Sequence, residues 1–349
     1  MNYKIDLRKE GYCPCCDKPT IFVSKHVWLR DNYKCSICGS IPRNRQLIKT
    51  INKYFSKIAT LEVYEAGPCG PSSDYLRKNV AEYTESQYWP DVRPGQKKKG
   101  VYCQDLESLT WPDELFDLVV TQDVMEHVFH PEKAFQEICR VLKPGGYHIF
   151  TAPIWKDLTK TVQRARMKDG NVEHLLDPVD HVGFLVTFDW SYDILDTIFE
   201  SSGMVTEVYR DVDQYHGIEG EFLDVLVSQK LPENVKTNRP KSLPKGNLDS
   251  LSYTDGILIV TGWSADEEDG APVERVMIYV DGQFLGNVTQ TGVERPDVAR
   301  YYNNDNWLLS GWELRVRVPL SKGKHSAFVV AYNKTGGFTR MPEKEFFLE

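Results

Sequence analysis

The sequence predicts a three-part chain built round a central α/β domain, and three observations predict it. Between residues 61 and 153, short apolar runs alternate with segments of helical spacing. Alternation of this kind builds a parallel sheet with helices on both faces. Ahead of it stand two C-x-x-C pairs, and behind a polar stretch come evenly spaced alternating runs separated by turn residues. These give a metal-ligand module over 1–48, an α/β domain over 49–232, a linker over 233–250 and an all-β sandwich over 251–349.

The first module rests on Cys13 with Cys16 and Cys35 with Cys38, separated by 18 residues. Each C-x-x-C lets two thiolates from one turn reach the same ion, and this gap suits a tetrahedral zinc with a short hairpin between the pairs. Cys15 competes for the first knuckle, but matched spacing favours Cys16. Four thiolates leave no open coordination position, so the zinc is expected to be structural. Cys69, Cys103 and Cys139 read as buried free thiols, a usage that fits a cytoplasmic protein.

In the central domain Val63–Ala66 reads as a strand and "EAGPCGPSS" (65–73) as a turn leading into a helix near Asp74. Strands are expected at Ala81–Thr84, Val101–Cys103 and Leu115–Thr121, a helix at Pro131–Leu142, and a last strand in "KPGGYHIFTAP". The charged stretch 155–178 reads as a helix with an exposed face. Its Arg164 and Arg166 are candidate contacts to an anionic substrate such as a nucleotide sugar. Ligands are expected at the carboxyl ends of the strands.

Residues 61–153 resemble a class I S-adenosylmethionine-dependent methyltransferase, and with less definition the likeness continues to about residue 230. "YEAGPCG" is similar to the family's first motif, "DLESLTWPDELFDLVVTQDVMEHV" to its middle motifs and "EICRVLKPGGYHIFTAP" to the segment that follows. The resemblance implies a Rossmann-like sheet and a sulfonium cofactor, with Glu65 and Gly67 near its methionine part and Gly70 also a cofactor-binding residue. By the same likeness Asp105 and Leu106 meet the adenine and Gln122 belongs to the loop after the fourth strand. Gln87 stands where the family usually offers the ribose an acidic residue, with Glu85 as the alternative. A phosphate-free cofactor does not require every donor of a phosphate loop, so Cys69 and Pro71 are tolerable departures.

A hydroxyl acceptor also needs a proton-accepting group. His127 after the fourth strand and His174 and His181 in the segment after the fifth are the candidates, while Asp123 and Glu126 read as cofactor-loop or helix-capping groups. Only residues 1–48 are basic, at +5, against −11 for 49–232. That balance argues against nucleic acid and for a small-molecule or saccharide acceptor; sugar hydroxyls of surface-polysaccharide or natural-product pathways fit the resemblance best. An RNA methyltransferase anchored by the basic module and a catalytically inactive binding or scaffold protein are the alternatives. No apolar stretch reaches membrane-spanning length.

The C-terminal segment is similar to immunoglobulin-like modules of bacterial proteins, through Gly262-Trp263, Ile278–Gly282 and Arg295–Val298. Asp281-Gly282 is a hairpin signal. Trp263, Trp307 and Trp312 read as core anchors ahead of a sugar-stacking platform. The module is expected to serve substrate recognition or homo-oligomerisation.

Overall fold

The computed structural model describes residues 4–348 apart from 156, 157, 159, 182, 233–242, 282, 289 and 334–337. It divides into two compact units, Met1–Pro232 and Glu233–Glu349.

The first unit opens with β1 (Lys4–Cys13) and β2 (Lys18–His26), an antiparallel hairpin whose turn is the first cysteine knuckle. Asp17 takes φ 56° in that turn and its N–H donates to the Cys13 carbonyl at 2.8 Å. The hairpin expected between the cysteine pairs is therefore shifted back. The chain between them is β2, one helical turn α1 (Leu29–Asn32) and β3 (Lys34–Cys35), which pairs with β2.

Helix α2 (Pro42–Tyr54) follows, with proline in its first turn and the Ile41 N–H donating to the Asn44 side chain at 3.2 Å. Its buried Leu47, Ile48 and Ile51 share one core with Phe22 and Tyr33 of the metal-ligand module and Val63, Leu118 and Ile149 of the central sheet. Arg45 is fully buried there. Its guanidinium lies over the Phe22 ring at 4.4 Å and donates to the carbonyls of Tyr33 at 2.8 Å and Gly217 at 2.6 Å. Module and sheet are thus cemented by one interior.

The central elements are β4 (Glu62–Ala66), α3 (Gly70–Asn79), β5 (Glu82–Gln87), β6 (Lys97–Lys98), β7 (Val101–Cys103), β8 (Phe116–Gln122), α4 (Pro131–Val141) and β9 (Leu142–Thr151). Helix α3 starts four residues before Asp74 because Pro71 sits in its first turn, where a missing N–H costs nothing. Short pairs then form: β10 (Val162–Gln163) with β15 (Phe188–Asp189), β11 (Ala165–Lys168) with β12 (Asn171–His174), and β13 (Asp180–His181) with β14 (Phe184–Leu185). The helix expected over 155–178 is absent among the described residues. Asp169 and Gly170, at φ 51° and 77°, make a tight hairpin turn, and Glu173 pairs across it with Arg166 at 2.5 Å and Lys168 at 3.1 Å.

Helix α5 (Ile194–Ser202), β16 (Val205–Tyr209) and β17 (Val225–Gln229) complete the unit. The eight-stranded sheet has the order β16-β17-β9-β8-β4-β5-β7-β6. It is parallel from β9 to β7, whereas β17, β16 and β6 pair antiparallel at its edges, so the expected all-parallel sheet is a mixed one.

The second unit is β18 (Lys245–Thr254), β19 (Ile257–Ala265), β20 (Arg275–Val280), β21 (Gln283–Asn287), β22 (Gln290–Val293), α6 (Pro296–Tyr302), β23 (Gly311–Arg317), β24 (Gly323–Tyr332), β25 (Phe338–Arg340) and β26 (Lys344–Leu348). One sheet runs β18-β19-β23-β22; the other runs β21-β20-β24, with β25 and β26 both on β24. Leu258, Val260 and Leu314 from the first sheet share a core with Ile278, Val329 and Ala331 from the second, which makes a two-sheet sandwich. Strand β18 reaches back to Lys245, so residues 245–250, expected in the linker, are strand. Asp281 takes φ 49° at the expected hairpin turn; Gly282 lies outside the described residues. Trp263, Trp307 and Trp312 are all buried, as core anchors would be.

Candidate functional site

From β4 the chain proceeds to β5 and β7 on one side, then returns to β8 and β9 on the other, so the strand order reverses between β4 and β8. A reversal of this kind opens a crevice at the carboxyl ends of the strands. Glu65, Gly67, Gly70 and Gln122 lie round it, Gln87 ends β5, and Asp105 and Leu106 follow β7.

The loop from β4 to α3 turns on two left-handed glycines, Gly67 and Gly70, both at φ 69°. A side chain on Gly67 would come within 3.1 Å of the Val124 side chain. Cys69, expected to be buried, is exposed at the turn, with its N–H donating to the Ser73 hydroxyl at 2.7 Å. Beneath the loop lies the buried carboxylate of Glu65. One oxygen accepts from Ser73 at 2.8 Å and Gln122 at 2.7 Å, the other from the Tyr83 hydroxyl at 2.6 Å. Burial raises its pKa above the usual carboxylate range while these three donors oppose the shift. Ser72 donates to the Gln122 side-chain carbonyl at 2.6 Å, and Asn44 of α2 donates to Ser72 at 3.0 Å. Glu65 and Gln122 therefore form the floor of the loop, and α2 helps to hold it.

On the far wall Asp105 is half-buried, and burial raises its carboxyl above the ordinary range although the Glu107 N–H donates to it at 2.9 Å. Leu106 beside it is buried. Glu85 is engaged by Arg77 at 2.7 Å, while Gln87 stands two residues further along the same face of β5, at the strand end.

After β8 the structure gathers residues from distant parts of the chain. Asp123, at φ 49°, accepts from Thr151 at 2.8 Å and from two arginines of the N-terminal segment, Arg30 at 2.5 Å and Arg43. Burial, with Arg30 nearby, lowers Arg43 to about 10. Arg30 also donates to the carbonyl of Phe222, whose ring lies 6.1 Å from Trp28 and 5.0 Å from Trp155. Both tryptophans are more than 40% exposed, at 43% and 44%, and so offer open aromatic faces beside the arginine latch.

His127 and His181 come together, with ring centroids 5.9 Å apart, whereas His174 is exposed on β12 and is not brought to them. The His127 Nδ1 lies 2.9 Å from the carbonyl of Leu185, which can only accept, so Nδ1 carries the proton and Nε2 is free. Burial lowers both histidines below their ordinary range, keeping the rings neutral. Between them lies Glu126, pushed by burial up to about 7. Asp123 and Glu126 cap no helix, since α4 starts only at Pro131; they are inward-facing groups of this site. Thr187 ties the segment bearing His181 to this loop through a 2.7 Å bond to the Glu126 carbonyl. Arg164 and Arg166 are committed elsewhere, to Asp189 and Glu173.

Absent from the sequence expectation are Arg30, Arg43, Asn44, Trp28 and Trp155. The two arginines have one sequence signal, the basic excess of the first 48 residues; Asn44 and the tryptophans have none.

The four cysteines singled out by spacing converge. Their sulfurs lie within 4.8 Å of one another, with Cys13 to Cys38 at 3.7 Å and Cys16 to Cys35 at 3.9 Å. A tetrahedron with zinc–sulfur bonds of about 2.3 Å has edges of about 3.8 Å. The set fits a zinc ion, and Cys15 is not part of it.

Fold and crevice define a doubly wound α/β domain with its topological switch point between β4 and β8. Residues 65–150 match the family described as Methyltransferase domain. The ubiquinone/menaquinone biosynthesis C-methyltransferase UbiE of Chromobacterium violaceum is 39% identical over 61 residues, 17% of this chain and 25% of that one. A ubiquinone biosynthesis O-methyltransferase of Coxiella burnetii is 35% identical over 49 residues, 14% of this chain and 21% of that one. The chain thus spans a quarter or less of the length of these curated relatives. An S-adenosylmethionine-dependent methyltransferase structure from Mesorhizobium loti aligns over 53% of this chain and 97% of its own, at 16% identity and TM-score 0.36.

Proposed function

We propose that the first unit binds S-adenosylmethionine in the crevice between the β4–α3 loop and Asp105 and transfers its methyl group to a hydroxyl of a small-molecule or saccharide acceptor. The observation that carries this is the loop itself: two left-handed glycines at the switch point, no Lys or Arg between residues 65 and 73, and carboxylates at 65 and 105. A cationic, phosphate-free cofactor suits such a lining. A diphosphate does not. When bound, S-adenosylmethionine supplies an electrophilic methyl on sulfonium.

The chain's own residues do the rest. Gly67 allows close backbone approach, Asp105 and Gln87 face the amine and hydroxyl groups of a nucleoside, and Glu65 stiffens the loop from below. Neutral His127 and His181 can take a proton from an acceptor hydroxyl, which supports O-methylation. Trp28 and Trp155 offer flat apolar faces for an acceptor ring. The match over 65–150 and the small-molecule names of the curated relatives support this reading, as does the acidic charge of 49–232. The four cysteines hold a structural zinc, and the C-terminal sandwich serves acceptor recognition or assembly.

The test is transfer of tritiated methyl from S-adenosylmethionine onto panels of phenolic and saccharide acceptors. Label in a hydroxyl of one class supports the proposal. Transfer to RNA alone, or cofactor binding with no transfer to any acceptor, contradicts it.

A further inference from the structure

Glu126 carries a burial cost that the nearby charges of Arg30 and Arg43 offset only in part. It is 2% exposed, and neither carboxylate oxygen has a hydrogen-bond partner among the described residues. Burial of such a group without a partner is strongly unfavourable. What faces it is a pair of nitrogen donors. The free Nε2 of His127 lies 3.9 Å from Oε1 and the Nδ1 of His181 lies 4.0 Å from the same oxygen. All three donor atoms lie within 4.8 Å of one another.

We propose that Glu126, His127 and His181 form a divalent-cation site with open coordination positions for acceptor oxygens. One carboxylate oxygen and two neutral imidazoles are a donor set for manganese, iron, cobalt or zinc, and the remaining positions of such a site are free for substrate. The 2.9 Å bond from His127 to the Leu185 carbonyl is the outer support that a ligating histidine needs, because it fixes the ring and its tautomer. Donors about 2.1 Å from a tetrahedral ion stand roughly 3.4 Å apart, so the two Glu126 contacts need to shorten by roughly half an ångström and the histidine nitrogens, now within 4.8 Å, must draw together. The 43% exposed side chain of His181, on a short hairpin, can make these movements.

The surrounding charge agrees. Arg30 and Arg43 face the cluster from the N-terminal segment, but Asp123 binds both and Asp31 binds Arg30 at 3.1 Å. Asp180 acts on both histidines. Asp31, Asp123, Asp180 and the Glu126 carboxyl therefore face two guanidiniums, so the surround is negative and favours a divalent cation, which would also hold Glu126 ionised. With both histidines ligating, the ion takes over their role: it holds an acceptor hydroxyl and lowers its pKa, the proton passes to water, and two adjacent oxygens on the acceptor suit the ion best. This role rests on the methyl-transfer reading; occupancy of the site does not.

The test is titration of the full chain, its cysteine site filled with zinc, with manganese followed by the paramagnetic resonance of the free ion. The expected result is one manganese bound per chain, weakened at least tenfold by Glu126→Gln and by His181→Ala and unchanged by His174→Ala. No bound manganese, or affinity equal in the wild type and His181→Ala, overturns the site. A separate titration with S-adenosylmethionine without added manganese distinguishes the two readings: if it binds while manganese does not, the cation site falls and the methyl-transfer reading stands.

Discussion

Gly67 shows how a single residue can decide whether the crevice works. Its φ of 69° and the 3.1 Å approach of Val124 leave no room for a branched side chain. The left-handed conformation costs a non-glycine residue roughly 1–2 kcal/mol before any clash is counted. Gly67→Val is expected to lower cofactor affinity more than tenfold by calorimetry while the fold persists. Asp105→Ala removes a hydrogen bond worth about 0.5–1.5 kcal/mol, and more if it is charged. His148 makes a separate prediction about pH. It is buried against Phe135 and Phe150, and burial lowers it to about 3. A histidine depressed in the folded state stabilises fully above the unfolded value near 6.5, and that stability is lost as pH falls from about 6.5 toward 3. Unfolding free energies from urea titrations should therefore fall more steeply for the wild type than for His148→Phe across that window, by up to about 1.4 kcal/mol per pH unit. Parallel curves would mean that the ring is not held neutral.

The elements show what the sequence could disclose and what it could not. The β4–α3 loop, the buried β8 strand and the cysteine knuckles were legible because each depends on local chemistry: glycine dihedrals, an unbroken apolar run, matched ligand spacing. The hairpin at 165–174 was misread as a helix because its charges suited a helical face, although Asp169-Gly170 held the turn signal. The arginine latch was not legible at all. Arg30 and Arg43 meet Asp123 across 93 and 80 residues, and no period or motif encodes such a meeting. Removing Asp123 leaves two largely buried guanidiniums without their shared partner, so Asp123→Ala should destabilise by about 3–5 kcal/mol in denaturant titrations. A loss below about 1 kcal/mol would show that the latch is solvated. The metal-ligand module shares its core with α2 and the sheet, so its loss should not stay local. Cys16→Ser is expected to lower both bound zinc and cofactor affinity, with Cys15→Ser changing neither; zinc loss with cofactor binding intact would separate the module from the crevice.

At the scale of the whole molecule, the two compact units each have their own core, and every residue placed at the crevice lies before Pro232. A chain ending at Pro232 should stay folded and bind cofactor as the full chain does, because no residue of the second core is needed to shape the loop. Insolubility of that chain would show that the sandwich is part of the catalytic fold. If the switch-point loop and Asp105 hold S-adenosylmethionine, calorimetric titration of the full chain gives one site per chain, weakened by both Gly67→Val and Asp105→Ala; no binding, or binding unchanged in both variants, would mean that the crevice is not the cofactor site.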